Sequence, residues 1–263
     1  MNGISITNLS FTYPDDKKQK LILKDIDLTV EPGEFVCLLG QSGCGKSTLL
    51  RLLAGREKPT TGEILQNDIP VAEAGLDRGV VFQNYGLFPW MTAGENIMLA
   101  LKQKYTNKTK AEHKEIAMKA IKAVGLDEAV FNKLPKELSG GMKQRCAIAQ
   151  SFSINPPALL MDEPFGALDA VTRARLQDMV LELWSSQEIK KTVFFVTHDV
   201  DEALLLATRI CFLCQAPSKV IYDVKIPLDK KPTRETLFED AEMMKLRNEL
   251  IRYINRDVAS HID

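Results

Sequence analysis

Phe35-Val36-Cys37-Leu38-Leu39-Gly40-Gln41-Ser42-Gly43-Cys44-Gly45-Lys46-Ser47-Thr48-Leu49-Leu50-Arg51-Leu52-Leu53-Ala54 decides the fold. Its apolar run predicts a strand, its glycines a loop and its leucines a helix. Glycines let the backbone curl so that successive N–H groups face an anion, and the helix adds the positive end of its dipole. The residues expected to hold the phosphates are Gly40, Gln41, Ser42, Gly43, Cys44, Gly45, Lys46, Ser47 and Thr48. Lys46 would reach the β- and γ-phosphates, and the Ser47 hydroxyl would ligate Mg²⁺. The expected substrate is a nucleoside triphosphate.

Working outward, residues 3–11 and 22–30 read as two strands of a hairpin-like edge sheet, joined by the polar segment Pro14 to Lys20. Tyr13 ends the first run and reads by itself as a turn aromatic with a hydrogen-bonded hydroxyl. Residues 79–83 form a further strand that ends on Gln83, at the edge where parallel sheets meet ligands. Gln83 is either a strand-end amide or a contact to metal or water.

From Asn84 to Asn155 the texture turns helical. Phe88-Pro89-Trp90-Met91 is an apolar loop, read either as local core or as a rigid aromatic cluster for a partner's helix. Lys102 to Lys110 reads as a solvated basic linker, and Ala111 to Val124 as a helix closed by Gly125. Ser139-Gly140-Gly141 precedes the helical run Met142 to Phe152, so Ser139 is a cap or part of a second anion site.

Ala158-Leu159-Leu160-Met161 runs into Asp162-Glu163, and two acids ending an apolar strand are poorly explained as core. Asp162 would orient Mg²⁺ and its waters, and Glu163 would poise the attacking water. Asp169 precedes the helix Ala170 to Trp184 as a cap, with room for a second role. The strand Thr192 to Thr197 ends beside His198, which points to a γ-phosphate contact. Asp199 to Ala207 reads as a helix, Lys219 to Ile226 as a strand and Glu239 to Val258 as an amphipathic closing helix.

Composition narrows the class. The 263 residues carry 34 Lys+Arg and 35 Asp+Glu, a formal charge of −1 that gives no electrostatic reason to expect nucleic acid. No apolar run approaches the roughly 20 residues needed to span a bilayer, so a soluble cytoplasmic chain is expected. The five cysteines are scattered and read as reduced thiols. Cys211 and Cys214 fall in an apparent strand, Ile210 to Cys214, which would send them to opposite faces. Cys44 lies near a helix N-terminus, where a thiol pKa tends to fall, so its modification is expected to block nucleotide binding.

The order of these pieces resembles the ATP-binding subunit of ABC transporters. Gly40 to Thr48 is similar to its Walker A, Gln83 to its Q-loop, Leu138 to Arg145 to its signature motif and Leu159 to Glu163 to its Walker B. Ala167 to Asp169 is similar to the D-loop and His198 to the switch histidine. The resemblance implies an α/β fold: a P-loop NTPase core with a mainly parallel sheet, an antiparallel β subdomain and a helical signature-motif subdomain. Within one domain, residues 1–83 and 156–226 would form the core, 84–155 the helical subdomain and 227–263 a helical tail.

By the same resemblance Tyr13 would stack on adenine, and Glu163, His198, Lys46 and Gln83 would be catalytic. Ser47, Gln83 and Asp162 would serve Mg²⁺. Ser139, Gly140, Gly141 and Asp169 would meet the ATP of a partner subunit, in a homodimer or an ABC heterodimer. Phe88 to Met91 would contact an integral-membrane permease, and an extracytoplasmic solute-binding protein would act indirectly. The implied location is peripheral, on the cytoplasmic face of the membrane.

Phe165-Gly166-Ala167 resembles importers rather than exporters. Phe88-Pro89-Trp90-Met91-Thr92, Met142 and His198-Asp199-Val200-Asp201-Glu202-Ala203 are similar to the nitrate/sulfonate/taurine group. Cys146 departs from the small residue usual after the signature arginine. The rival readings are a soluble ABC ATPase uncoupled from transport and an exporter ATPase subunit.

Overall fold

The computed structural model describes residues 3–14 and 20–260, in two compact units. Of the Pro14–Lys20 connection, residues 15–19 lie outside the described residues. The first unit takes in the chain up to Ala74 and again from Thr192, and the second takes in Gly75–Lys191.

In the first unit, β1 (Ile4–Tyr13) pairs antiparallel with β2 (Lys20–Val30) and with β4 (Thr61–Gln66), and β4 pairs with the short β5 (Ile69–Pro70). Between these strands come β3 (Phe35–Gly40) and α1 (Lys46–Leu53). β3 pairs in parallel with both β8 (Thr192–Thr197) and β9 (Arg209–Leu213), and β10 (Val220–Lys225) closes that edge antiparallel. All six residues of β3 are buried, because a strand covered on both sheet faces keeps a continuous apolar run. α6 (Val200–Leu206) and α7 (Ala241–Ala259) complete the unit. Leu250 of α7 is buried, and its Tyr253 ring lies 4.6 Å from that of Tyr222 on β10.

In the second unit, β6 (Arg78–Val81) and β7 (Ala158–Asp162) pair in parallel. The helices are α2 (Ala93–Lys104), α3 (Lys110–Ala123), α4 (Gly140–Ser153) and α5 (Ala170–Ser185). The basic linker expected from Lys102 to Lys110 is therefore corrected: Lys102 and Lys104 end α2, and Lys110 begins α3. Reciprocal capping boxes, Thr92 with Glu95 and Thr109 with Glu112, start the two helices and leave only a short connection.

The Cys211–Cys214 reading also changes. β9 stops at Leu213, the Cys211 thiol donates to Asp223 Oδ1 at 3.6 Å, and Cys214 Sγ accepts from the Lys219 N–H at 3.2 Å. Both thiols are free.

Candidate functional site

In the first unit the phosphate-loop residues follow β3 directly. Gly43 and Gly45 adopt φ of 83° and 108°, a left-handed geometry that side chains resist. A Cβ on Gly45 would also stand 2.9 Å from Leu23 Cδ2, whereas one on Gly43 would meet nothing within 4 Å. The loop is thus packed on one side and open on the other. α1 begins on Gly45 with no side-chain cap, whereas among the described residues the other six α-helices each have a capping side chain that accepts from their first turn. Orphan N–H groups at such an end suit an anion.

Lys46 is buried, and its ammonium donates to the Gly40 and Gln41 carbonyls at 2.8 Å each. Its Nζ lies 3.9 Å from Cys44 Sγ. The activated thiol expected at Cys44 is overturned: burial pushes its pKa up, and the opposing pull of the Lys46 ammonium is the smaller effect.

Tyr13 ends β1 with its hydroxyl accepting from Arg51 Nη1 at 2.8 Å and lying 3.4 Å from Thr48 Oγ1, so the ring is tied to α1. That ring stands T-shaped to Phe11, with centroids 4.8 Å apart. Arg51 was not legible as a site residue, since only the fold brings it 38 positions back to Tyr13.

His198 is exposed at the end of β8. The Thr197 hydroxyl accepts from the Asp199 N–H at 3.0 Å and donates to Glu202, while Asp199 caps α6, so the backbone on both sides of the imidazole is fixed.

In the second unit, Gln83 lies two residues beyond β6, not on the strand as expected. The turn that follows holds Tyr85 and Gly86 at φ of 68° and 65°. Asp162 is the last residue of β7, and Glu163 takes a φ of 42°, unusual for a residue with a side chain. Strain of this kind clusters at functional sites. Glu163 Oε2 and Gln83 Nε2 lie 3.7 and 3.9 Å from the point where a Gly166 Cβ would sit, so these two candidates converge beside that glycine.

The signature and D-loop residues also meet. Ser139 Oγ caps α4 by accepting from the Met142 N–H at 3.3 Å, and Asp169 caps α5 by accepting from the Thr172 N–H at 2.9 Å. That capping bond holds the Asp169 carboxyl below its usual range. A Cβ on Gly141 would come within 2.6 Å of Thr172 Cγ2, and one on Gly140 within 3.1 Å of the Tyr85 hydroxyl. The glycines therefore allow the start of α4 to seat on α5 and on the Gln83 turn.

Trp90 is 73 % and Phe88 39 % exposed, their rings 5.4 Å apart. Asn96, buried in α2, laces this loop: Oδ1 accepts from the Phe88 N–H at 2.7 Å, and Nδ2 donates to the Phe88, Met91 and Thr92 carbonyls. Asn96 and Tyr85 carried no motif signal. The trace available was a polar residue among the apolar positions of α2 and an aromatic beside a glycine.

The sequence profile described as ABC transporter matches residues 23–166. The chain is 44% identical over 253 residues to the nitrate import ATP-binding protein NrtD of Synechococcus elongatus, covering 96% of this chain and 91% of that protein. It is 42% identical over 262 residues to the bicarbonate transport ATP-binding protein CmpD of Synechocystis sp., covering 97% and 92%. A solved dimeric structure of the ATP-binding cassette MJ0796, in a post-hydrolysis state bound to ADP and Pi, superposes with a TM-score of 0.76 at 34% identity, covering 85% of this chain and 99% of that one. A lysine-bearing phosphate loop, an acid pair ending a strand and a serine-capped glycine corner, matched over nearly the whole length of such relatives, mean that this chain belongs to the ABC transporter family as one of its ATP-hydrolysing cassettes.

Proposed function

We propose that the cassette is the ATPase subunit of an importer, working as a pair of copies that close on two ATP molecules and part after hydrolysis. The observation that carries this reading is the 44% identity, spread over 96% of the chain, to a nitrate import subunit. The relatives' solutes, nitrate and bicarbonate, are both small planar oxyanions. The solute inferred here is likewise a small molecule bearing an oxyanion group, a class that extends to sulfonates and to the zwitterion taurine.

Each residue has a physical task in this reading. The Lys46 ammonium is already desolvated and held by two loop carbonyls, so it exchanges neutral oxygens for phosphate oxygens with little reorganisation. Gly40 to Thr48 supply N–H donors, and Tyr13, fixed by Arg51, supplies a face for adenine. Glu163 takes the proton of the attacking water, and His198 contacts the γ-phosphate. Ser47 offers a hydroxyl oxygen, Asp162 a carboxylate and Gln83 an amide oxygen, hard donors of the kind that suits Mg²⁺, which keeps several waters and binds through few side chains. When bound, Mg²⁺ would neutralise charge on the β- and γ-phosphate oxygens.

Ser139, Gly140, Gly141 and Asp169 cover the ATP held by the other copy, whether identical or a second cassette. Among the described residues no helix is long and apolar enough to cross a membrane. In this reading the work is delivered to a separate permease, docked on Phe88 to Met91 at the cytoplasmic face, with an extracytoplasmic binding protein delivering the solute. The loop held by Asn96 offers that permease a preorganised aromatic surface.

Glu163→Gln tests the core of this reading. Turnover should fall by roughly 10²- to 10⁴-fold while ATP binding persists, and the variant should sediment as a dimer with ATP. A monomer at saturating ATP overturns the paired arrangement. Uptake assays in cells lacking the chain, with labelled nitrate, bicarbonate and taurine in turn, identify the solute.

A further inference from the structure

Tyr85 is a bulky residue held at φ of 68°, where side chains other than those of glycine and asparagine are strained. Two short turns, Tyr85 N–H to the Phe82 carbonyl at 3.1 Å and Gly86 N–H to the Asn84 carbonyl at 2.9 Å, keep it there. Its ring lies 6.0 Å from the Lys143 ammonium, and its hydroxyl sits where a Cβ on Gly140 would be 3.1 Å away. The turn that carries Gln83 therefore rests, through one aromatic ring, on the first turn of α4.

The same face of α4 holds a second anomaly. Gly140, Gln144, Ala147 and Ser151 recur at helical spacing and share one side. Ser151 Oγ donates to the Val80 carbonyl of β6 at 2.8 Å, so this side runs along β6 and the turn after it. Gln144, midway, is 0 % exposed, and neither its amide nitrogen nor its oxygen has a hydrogen-bond partner among the described residues. A buried amide without partners is destabilising, and packing alone would favour leucine there. A strained aromatic and an idle amide on one seam mark a junction kept for something other than stability.

We infer that Tyr85 is a positioning residue of the ATPase: it transmits the position of the Gln83 turn to the Ser139-Gly140-Gly141 corner, with Gln144 as the amide that pairs when the seam shifts. The inference rests on the paired-copy reading, in which that corner covers the other copy's ATP. Tyr85 touches no substrate in this scheme. It acts by placing Gly140, and misplacing a catalytic group by about 1 Å can cost up to a hundredfold in rate.

The test uses the full-length chain with Mg²⁺ and ATP. Tyr85→Asn tolerates the left-handed backbone, so the turn survives without the ring. It should leave the melting temperature and the KM for ATP near parental values and lower kcat by about tenfold or more. Tyr85→Phe keeps the ring and should recover kcat to within about twofold of the parent. Gln144→Leu removes the idle amide and should melt no lower than the parent while losing kcat, a divergence that a merely structural role does not produce.

In the Glu163→Gln background, adding Tyr85→Asn should weaken ATP-driven dimerisation about tenfold. Parental kcat in both Tyr85→Asn and Gln144→Leu, or a kcat loss matched by a fall in melting temperature, overturns the inference. If Glu163→Gln dimerises and the double variant dimerises equally well, the Tyr85 role alone falls. If Glu163→Gln stays monomeric with ATP, the paired-copy reading falls and takes this inference with it.

Discussion

The starts of α1 and α4 are both glycine-rich helix ends that we propose meet phosphate, yet they are built in opposite ways. α1 begins on a left-handed glycine with no capping side chain, beneath a buried lysine that its own loop carbonyls hold. α4 begins on Ser139, whose oxygen already accepts from the Met142 N–H. An open end with a buried cation binds an anion through backbone donors and charge. A serine-capped end is internally satisfied and offers outward only the hydroxyl's own proton and the N–H groups of two glycines. The first arrangement suits tight retention of a ligand, and the second suits a contact that forms and breaks in every cycle.

Ser139→Asp probes this contrast most sharply. Aspartate caps a helix as well as serine does, so the melting temperature should hold within about 2 °C. It cannot donate a proton at neutral pH and it repels phosphate, so turnover should fall about a hundredfold. Parental turnover in this variant breaks the assignment of α4 to a phosphate.

A smaller effect is expected inside the α1 loop. Gly45→Ala adds a Cβ 2.9 Å from Leu23 Cδ2 on a backbone at φ of 108°, and should cost about 1–3 kcal/mol in urea unfolding. Gly43→Ala carries only the conformational cost, near the lower end of that range, because nothing lies within 4 Å. Equal losses at the two positions contradict the picture of a loop packed on one side and open on the other.

The smallest effect is a pH dependence that both regions share. Burial raises the pKa of Cys44 in the α1 loop from 9.0, and that of Cys146 in α4 from 9.0 to about 12. The folded chain keeps these protons where the unfolded chain releases them. The stabilisation is therefore fully present below pH 9 and is lost as pH climbs from there, for Cys146 toward 12. The loss is at most about 1.4 kcal/mol per pH unit for each such thiol. Urea midpoints at pH 8 and pH 10 measure it, and Cys146→Ala should flatten the slope. In the folded chain at pH 8, Cys44 should react with iodoacetamide more slowly than a free thiol does.

Much of this was legible in the residue order, and the exceptions share a cause. Strands such as β3 and β8, the caps Ser139 and Asp169, and the loop ending in Lys46-Ser47 follow from neighbours a few residues apart, which is the range over which periodicity and capping act. The end of α2 is obscured in the sequence because Lys102 and Lys104 continue into a charged run, although Thr92 and Glu95 spell out its start. At Cys44 the local effect of a nearby helix end is outweighed by burial, which the neighbouring residues alone do not reveal.

The sequence by itself determined that a triphosphate-binding loop, an acid-ended strand and a glycine corner occur in the order of an ABC cassette, because each is a short-range pattern whose chemistry lies in its own few residues. Only the tertiary structure decided that Arg51 holds Tyr13, that Asn96 stiffens the Phe88 loop, that Gln83 and Glu163 converge beside Gly166, and that Tyr85 rests at Gly140. Those facts depend on close approach between side chains or segments that mostly lie far apart in the chain, together with burial summed over many neighbours, and no local pattern encodes either.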